Sequence, residues 1–468
     1  MIATTLAEVA RVTGARLEGA DPDALVSADV EVDSRAVRPG GLFVALSGER
    51  TDGHDHAAAA VAAGAVAALT SRSLAGTPCL VVPDPLAALQ ALAAAVFGRE
   101  QPLTFGVTGS SGKTSTKDLL AHVLGEGTLA PVGSFNNELG LPLTLLRRSP
   151  QTGRAVLEYS ARGLGHIAFL TGIARPHVAV ELNVGSAHLG EFGSQEAIAQ
   201  AKGELVEAAQ PYGEAPPLAV LNADDPLVLG MRERLPQGGR VVTYGQAPEA
   251  DVRASDVELG PDGRASFRLS SPFGDDQAVR LRLVGEHHVS NALAAAAAAL
   301  AAPPRLDAAL VAERLGSAGP VSRWRMEVSE RADGVTIVND AYNANPESMR
   351  AALKTLAVMG GGTRRTVAVL GPMGELGEDA QQAHMDLGRL VVRLDVGQLV
   401  VVGPDAGGIH AGAVLEGSWG SESLHVDDVD TAVALLRAEL APGDVVLVKA
   451  SRAAGLERVA AALLEPAP

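Results

Sequence analysis

A single cysteine, Cys79, occurs in 468 residues, so neither a disulfide framework nor a cysteine-based metal site can be built. It stands in the apolar run Pro78-Cys79-Leu80-Val81-Val82 and reads as a buried structural residue. Aromatic residues are scarce as well, 3% of a chain that is 47% hydrophobic and carries 52 glycines. That balance, rich in alanine, suits helices packed closely on sheets. No apolar block is long enough to span a bilayer; the longest, Ala292 to Ala302, is short and alanine-rich. The first residues, Met1 to Glu8, lack a basic stretch before an apolar core and run straight into an amphipathic helical pattern. The expectation is a soluble, cytoplasmic protein. Positive charge is also in short supply, with 38 Lys and Arg against 55 Asp and Glu and a net charge of −17. Such a surface repels nucleic acid, and an anionic substrate has to be met by local lysines and arginines.

What the chain does have is a strand-loop-helix passage, Leu103 to Lys117, with Gly109-Ser110-Ser111-Gly112-Lys113-Thr114-Ser115 at its turn. Apolar Leu103, Phe105 and Val107 lead into glycines that let backbone N–H groups face an anion, and a helix N-terminus adds partial positive charge. Lys113 can then reach the outer phosphates of a nucleotide and Thr114 can hold Mg²⁺ by its hydroxyl. The full Walker spacing fails, because Val107 stands where its first glycine belongs. The shorter Gly-x-x-Gly-Lys-Thr after a strand favours nucleotide binding over an ordinary glycine-rich turn.

Length predicts about three domains, placed at 1–100, 101–319 and 320–468, with a short hinge at Gly316-Ser317-Ala318-Gly319-Pro320. The fold class is α/β: an N-terminal α/β domain, a central parallel-sheet phosphate-loop domain carrying an antiparallel patch over about 240–284, and a C-terminal doubly wound domain. In open parallel sheets ligands gather at the carboxyl ends of strands. Glu158 ends the apolar run Ala155-Val156-Leu157, and His188 follows Val178 to Val184. Lys202, in Ala201-Lys202-Gly203-Glu204, reads as a solvated helical lysine on composition alone. Asp33-Ser34-Arg35 and Asp52-Gly53-His54 read as turn chemistry, with a binding role for Arg35 as the sharper alternative.

Taken in order, the polar motifs resemble the Mur ligase family, and within it the MurF-type branch. The elements that carry the resemblance are Thr108-Gly109-x-x-Gly112-Lys113-Thr114, Ser134-Phe135-Asn136-Asn137-x-x-Gly140-x-Pro142, Ala161-Arg162-Gly163-x-Gly165-His166-Ile167, Asn183-Val184-Gly185-x-Ala187-His188-Leu189, Ala201-Lys202-Gly203-Glu204 and Asn339-Asp340-Ala341-Tyr342-Asn343-Ala344-Asn345-Pro346-x-Ser348-Met349. Two departures from the branch are Tyr159-Ser160, where Met-Gly is usual, and Ala450 in Lys449-Ala450-Ser451-Arg452, where glycine is usual.

The resemblance implies an ATP-dependent amide ligase of cell-wall peptidoglycan synthesis, which adds D-alanyl-D-alanine to UDP-N-acetylmuramoyl-tripeptide through an acyl phosphate. It implies a UDP corner at Ser34, Arg35, Asp52, Gly53 and His54, and substrate contacts from Asn136, Asn137, Arg162, Tyr342, Asn345 and Ser348. Thr114, Glu158, His188 and a carbamylated Lys202 become the Mg²⁺ positions, and Lys113, Lys202, His188 and Glu158 the catalytic set. Asn291, Arg325 and Asp340 become adenine, phosphate or ribose contacts beside the phosphate loop. The enzyme is expected to act as a monomer. A branch that adds the third residue usually carries Asp-Asn-Pro-Arg, absent here; folylpolyglutamate synthase lacks an ordered Asp-Ser-Arg domain. A nucleotide-binding scaffold without turnover would not need Lys113, Glu158, His188 and Lys202 together.

Overall fold

A computed structural model describes residues 2–48, 51–185 and 189–465. Beside a two-stranded antiparallel pair of Thr4–Thr5 and Leu25–Val26, three larger sheets follow one another along the chain. The first orders its strands Arg16–Glu18, Cys79–Val81, Ala67–Thr70, Leu42–Val44 and Val30–Glu31, all parallel except Arg16–Glu18 at one edge. Cys79 is fully buried there. The helix Pro85–Gly98 closes this unit; its start is fixed by Asp84, whose carboxylate accepts from the N–H groups of Leu86 and Ala87, and by Pro85 in the first turn.

The second sheet has nine strands. The loop-bearing strand Leu103–Thr108, third from one edge, is flanked in parallel by Arg154–Glu158 on one side and Val178–Glu181 on the other. Chain order therefore reverses beside the phosphate-loop strand, and a crevice opens at the carboxyl ends there. Leu218–Asn222 and Arg240–Gly245 extend the parallel run. The antiparallel patch is shorter than its period-two pattern suggests: Arg240–Gly245 belongs to the parallel sheet, and antiparallel pairing joins only Val252–Leu259, Arg264–Ser271 and Gly274–Val284. Alternation reports a half-covered face, not strand direction, so the two could not be separated by pattern.

Helix His288–Ala301 is buried nearly all round, as its alanines permit, and lies against both the sheet and the phosphate-loop helix Lys113–Leu124. The third sheet is ordered Glu327–Glu330, Thr336–Asn339, Val445–Lys449, Thr366–Leu370, Gln398–Val402 and Ser423–Val426, parallel from Thr336–Asn339 onward. Separate apolar clusters on its two faces, one around Met349, Leu353 and Leu387, the other around Val429, Leu436 and Val459, make it doubly wound as expected. Among the described residues no helix is long and apolar enough to cross a membrane.

Candidate active site

The phosphate loop is built before any ligand arrives. Gly112 adopts φ +81° at the cap of helix Lys113–Leu124, and a Cβ there would lie 2.5 Å from Asn291 Oδ1; only glycine fits both demands. Asn183 holds the loop from the neighbouring strand end: the N–H of Ser111 donates to its Oδ1 at 2.9 Å and that of Ser110 to its carbonyl at 2.9 Å. Gly185 N–H donates to Ser110 Oγ at 2.9 Å. Lys113 folds back, its Nζ donating to Gly109 O at 2.7 Å. Burial pushes this amine below the ordinary lysine range, opposed by the nearby Glu158 carboxylate and reinforced by Arg325.

Glu158 is buried at the end of its strand and both its oxygens are engaged, by Thr114 Oγ1 at 3.0 Å and by Asn136 Nδ2 at 2.7 Å. Arg325 reaches across from the C-terminal sheet's unit to Thr114 Oγ1 at 3.4 Å, with its guanidinium 4.1 Å over the Tyr342 ring. Tyr342 in turn hydrogen-bonds Ser134. Asp340 and Lys449 form a buried ion pair at 2.6 Å, and Lys449 also donates to Asn343 O at 2.8 Å. Asn291 accepts from Thr116 Oγ1 at 3.3 Å. These groups line one cleft of about 370 Å³ between the central and C-terminal units, which also receives Ser110, Ser111 and Ser115. Cations from both units, Lys113, Arg325 and Lys449, thus gather in a chain whose net charge is −17.

Other expected residues make structural contacts of their own. Asn345 and Ser348 border the cleft but form the capping box of helix Pro346–Gly360, Ser348 N–H donating to Asn345 Oδ1 at 2.8 Å. Asn137 Oδ1 accepts from Gly140 N–H at 2.8 Å at the start of helix Gly140–Leu146. Asp52 and His54 brace each other at 2.6 Å; Ser71 N–H donates to His54 Nε2 at 2.9 Å, which leaves Nδ1 to donate to Asp52. A Cβ at Gly53 would meet Leu46 backbone at 2.7 Å. Arg35 is exposed beside its own neighbour Asp33, with Ser34 between them. Arg162, also exposed, faces Glu138 at 3.6 Å.

Lys202 does not line the cleft. It is buried on helix Gln195–Glu207, and its amine has no hydrogen-bond or ion-pair partner among the described residues. Burial pushes it well down from the ordinary lysine range, Lys113 adds to this, and Glu181 opposes it. Glu181 is fully buried with neither carboxylate oxygen hydrogen-bonded among the described residues, and burial raises its carboxyl well above the ordinary carboxylate range against the pull of Lys202. His188 lies outside the described residues. Among the described residues no three His, Cys, Asp or Glu side chains cluster as a metal site. Asn183 and Lys449 were given no role by pattern reading; the place of each at or just past a strand's carboxyl end was the available signal.

Fold and cleft define an α/β protein whose glycine-rich loop, at the carboxyl end of a parallel strand, shares one cleft with a second, doubly wound domain. Residues 107–299 match the Mur ligase middle domain, 324–452 the Mur ligase glutamate ligase domain, and 28–96 the Mur ligase catalytic domain family. The chain is 50% identical to the UDP-N-acetylmuramoyl-tripeptide--D-alanyl-D-alanine ligase of Mycobacterium bovis, over 99% of this chain and 98% of that one. A crystal structure of MurF from Acinetobacter baumannii superposes with a TM-score of 0.86 at 33% identity, covering 99% of each chain. MurF of Thermotoga maritima in complex with ADP gives 0.77 at 31% identity, covering 93% of this chain and 97% of that one. The chain belongs to the Mur ligase family.

Proposed function

We propose that this chain is an ATP-dependent ligase that joins D-alanyl-D-alanine to UDP-N-acetylmuramoyl-tripeptide, giving the pentapeptide precursor of peptidoglycan with release of ADP and phosphate. The observation that carries the reading is the shared cleft: a preformed phosphate loop on one side and Arg325, Asp340 and Lys449 on the other. Joining a carboxylate to an amine in water is uphill. The tripeptide's terminal carboxylate therefore takes the γ-phosphoryl group of ATP, giving an acyl phosphate, and the dipeptide amine then displaces phosphate. The first step brings two anions together, so the residues' task is positioning and charge neutralisation. Lys113 leaves Gly109 O for the outer phosphates, and Arg325, steadied on Tyr342, faces the transferring group. The contacts between the two units at Arg325 and Tyr342 keep water from the acyl phosphate.

Thr114 and Glu158 offer hard oxygen donors of the kind Mg²⁺ takes. With His188 and a carbamylated Lys202 they would hold the ion, which neutralises phosphate charge. Lys202 suits the modification: its side chain is buried, burial lowers its amine, and the amine has no hydrogen-bond partner among the described residues, as an amine that must add CO₂ needs. The UDP corner is placed at Ser34, Arg35 and the Asp52 to His54 turn, and the tripeptide along Asn136 and Arg162. The domain limits are taken as 1–100, 101–319 and 320–468. The enzyme is proposed to work in the cytoplasm as a monomer.

The decisive experiment is phosphate release from ATP and Mg²⁺ with UDP-N-acetylmuramoyl-tripeptide, D-alanyl-D-alanine, or both. Release with both only, and a pentapeptide product by mass, is expected. Release that instead requires the dipeptide precursor and a diamino acid overturns the reading in favour of the branch that adds the third residue.

A further inference from the structure

Helix His166–Ile173 begins without a capping side chain, since its N-cap is Gly165 at φ +83°. Four backbone N–H groups of a helix start need partners, and here a distant residue meets two of them. The Glu204 carboxylate, 9% exposed, accepts from Gly165 N–H at 2.6 Å and from Ala168 N–H at 2.9 Å. These are the groups a capping box would satisfy, met from another helix and by a full negative charge, which the helix start favours. The loop so held carries Arg162, whose backbone N–H donates to His166 Nδ1 at 3.2 Å, and Glu138 approaches both Arg162 at 3.6 Å and His166 at 3.4 Å.

Glu204 stands two residues from Lys202 on helix Gln195–Glu207, so the two side chains leave that helix in roughly opposite directions. The residue between them is fixed too. A Cβ on Gly203 would lie 1.9 Å from Arg234 Nη1, and that guanidinium donates to Gln200 O at 2.8 Å and, through Nε, to Glu207 at 2.9 Å. Arg234 therefore sets the rotation of the helix, and with it where Lys202 and Glu204 point.

We infer that Glu204 is a positioning residue for the peptide substrate: it pins the Arg162–His166 loop to the same helix that presents Lys202, so that the substrate carboxylate is held in register with the phosphoryl-transfer site. This rests on the proposed ligase reading. Arg162 reaches the substrate; Glu204 acts through it.

The test is steady-state kinetics of the full-length Glu204→Gln variant, with Michaelis constants for the tripeptide nucleotide and for ATP measured separately, alongside hydrogen exchange at Gly165 and Ala168. Removing the charge and one of two acceptors should raise the tripeptide constant about tenfold, leave that for ATP within about twofold, and speed exchange at both amides. Faster exchange with an unchanged tripeptide constant would make Glu204 a purely structural cap and overturn the inference. Equal rises in both constants would do the same, by pointing to general loosening. If Glu204→Gln does not fold, Glu204→Asp keeps the charge but shortens the reach, and the same split in constants is expected at smaller size. A wild-type protein with no turnover on these substrates sinks the ligase reading itself, whereas an active wild type with an unaltered variant sinks only this inference.

Discussion

The phosphate loop and the proposed UDP corner are both meant to meet anions, yet they are built in opposite ways. Around Lys113 the groups are buried and tied to one another before any nucleotide is present, through Asn183, Thr114, Glu158 and Asn136. At Asp33-Ser34-Arg35 the guanidinium is 88% exposed and pairs with a carboxylate two residues away in its own turn. A rigid, desolvated cation does its work in the transition state, while an exposed one that must first leave a solvated partner contributes chiefly to capture. Damage should therefore appear in turnover at the first site and in the Michaelis constant at the second.

The largest effect tests the first half of that contrast. Lys113→Ala should lower phosphoryl transfer by about a thousandfold while sugar-nucleotide binding, followed by calorimetry, persists; unchanged turnover would remove the phosphate loop from the chemistry. Next, Lys202→Ala should lose roughly a hundredfold, unrelieved by bicarbonate but partly rescued by a short carboxylic acid, and full activity in the variant would dispose of the carbamate. Arg35→Ala should raise the constant for the sugar nucleotide only severalfold and spare turnover. A fall in turnover instead would erase the distinction between the two corners.

The smallest effect concerns His177, well away from either anion site. Burial pushes its imidazole down to about 4, while Thr104 N–H donates to Nδ1 at 2.9 Å. The unfolded chain binds a proton near the ordinary value of 6.5 and the folded chain does not, so stability falls as pH drops through the window between these values. His177→Gln should flatten the acid slope of the melting temperature, by about 1 kcal/mol between pH 6.5 and 5. An unchanged slope would assign the acid sensitivity elsewhere.

What could be read along the chain was whatever is local. The strand, loop and helix around Lys113, the carboxylate of Glu158 at its strand end, and the alternating pattern of the C-terminal sheet all rest on neighbouring residues. The partners of these groups are not local. Asn183 stands 72 residues from Ser111 and Glu204 lies 39 residues from Gly165, so nothing in the spacing announces either contact. Lys202 looked solvated because a helix of mixed composition hides which face it buries. Asn345 and Ser348 carried a motif strong enough to suggest a substrate role; they line the cleft and at the same time cap helix Pro346–Gly360. Tyr159, standing where the branch usually has methionine, is accommodated by donating its hydroxyl to Ala174 O at 2.5 Å.

The ion pair of Asp340 and Lys449 joins residues 109 positions apart, both buried. Losing one partner strands a charge away from water, at a cost of about 3–5 kcal/mol, whereas replacing both can be nearly neutral. A single change at either position should thus cost stability even where the reaction would tolerate it. Over evolutionary time the two should drift as a unit, and a lineage that alters Asp340 should carry its compensation at Lys449.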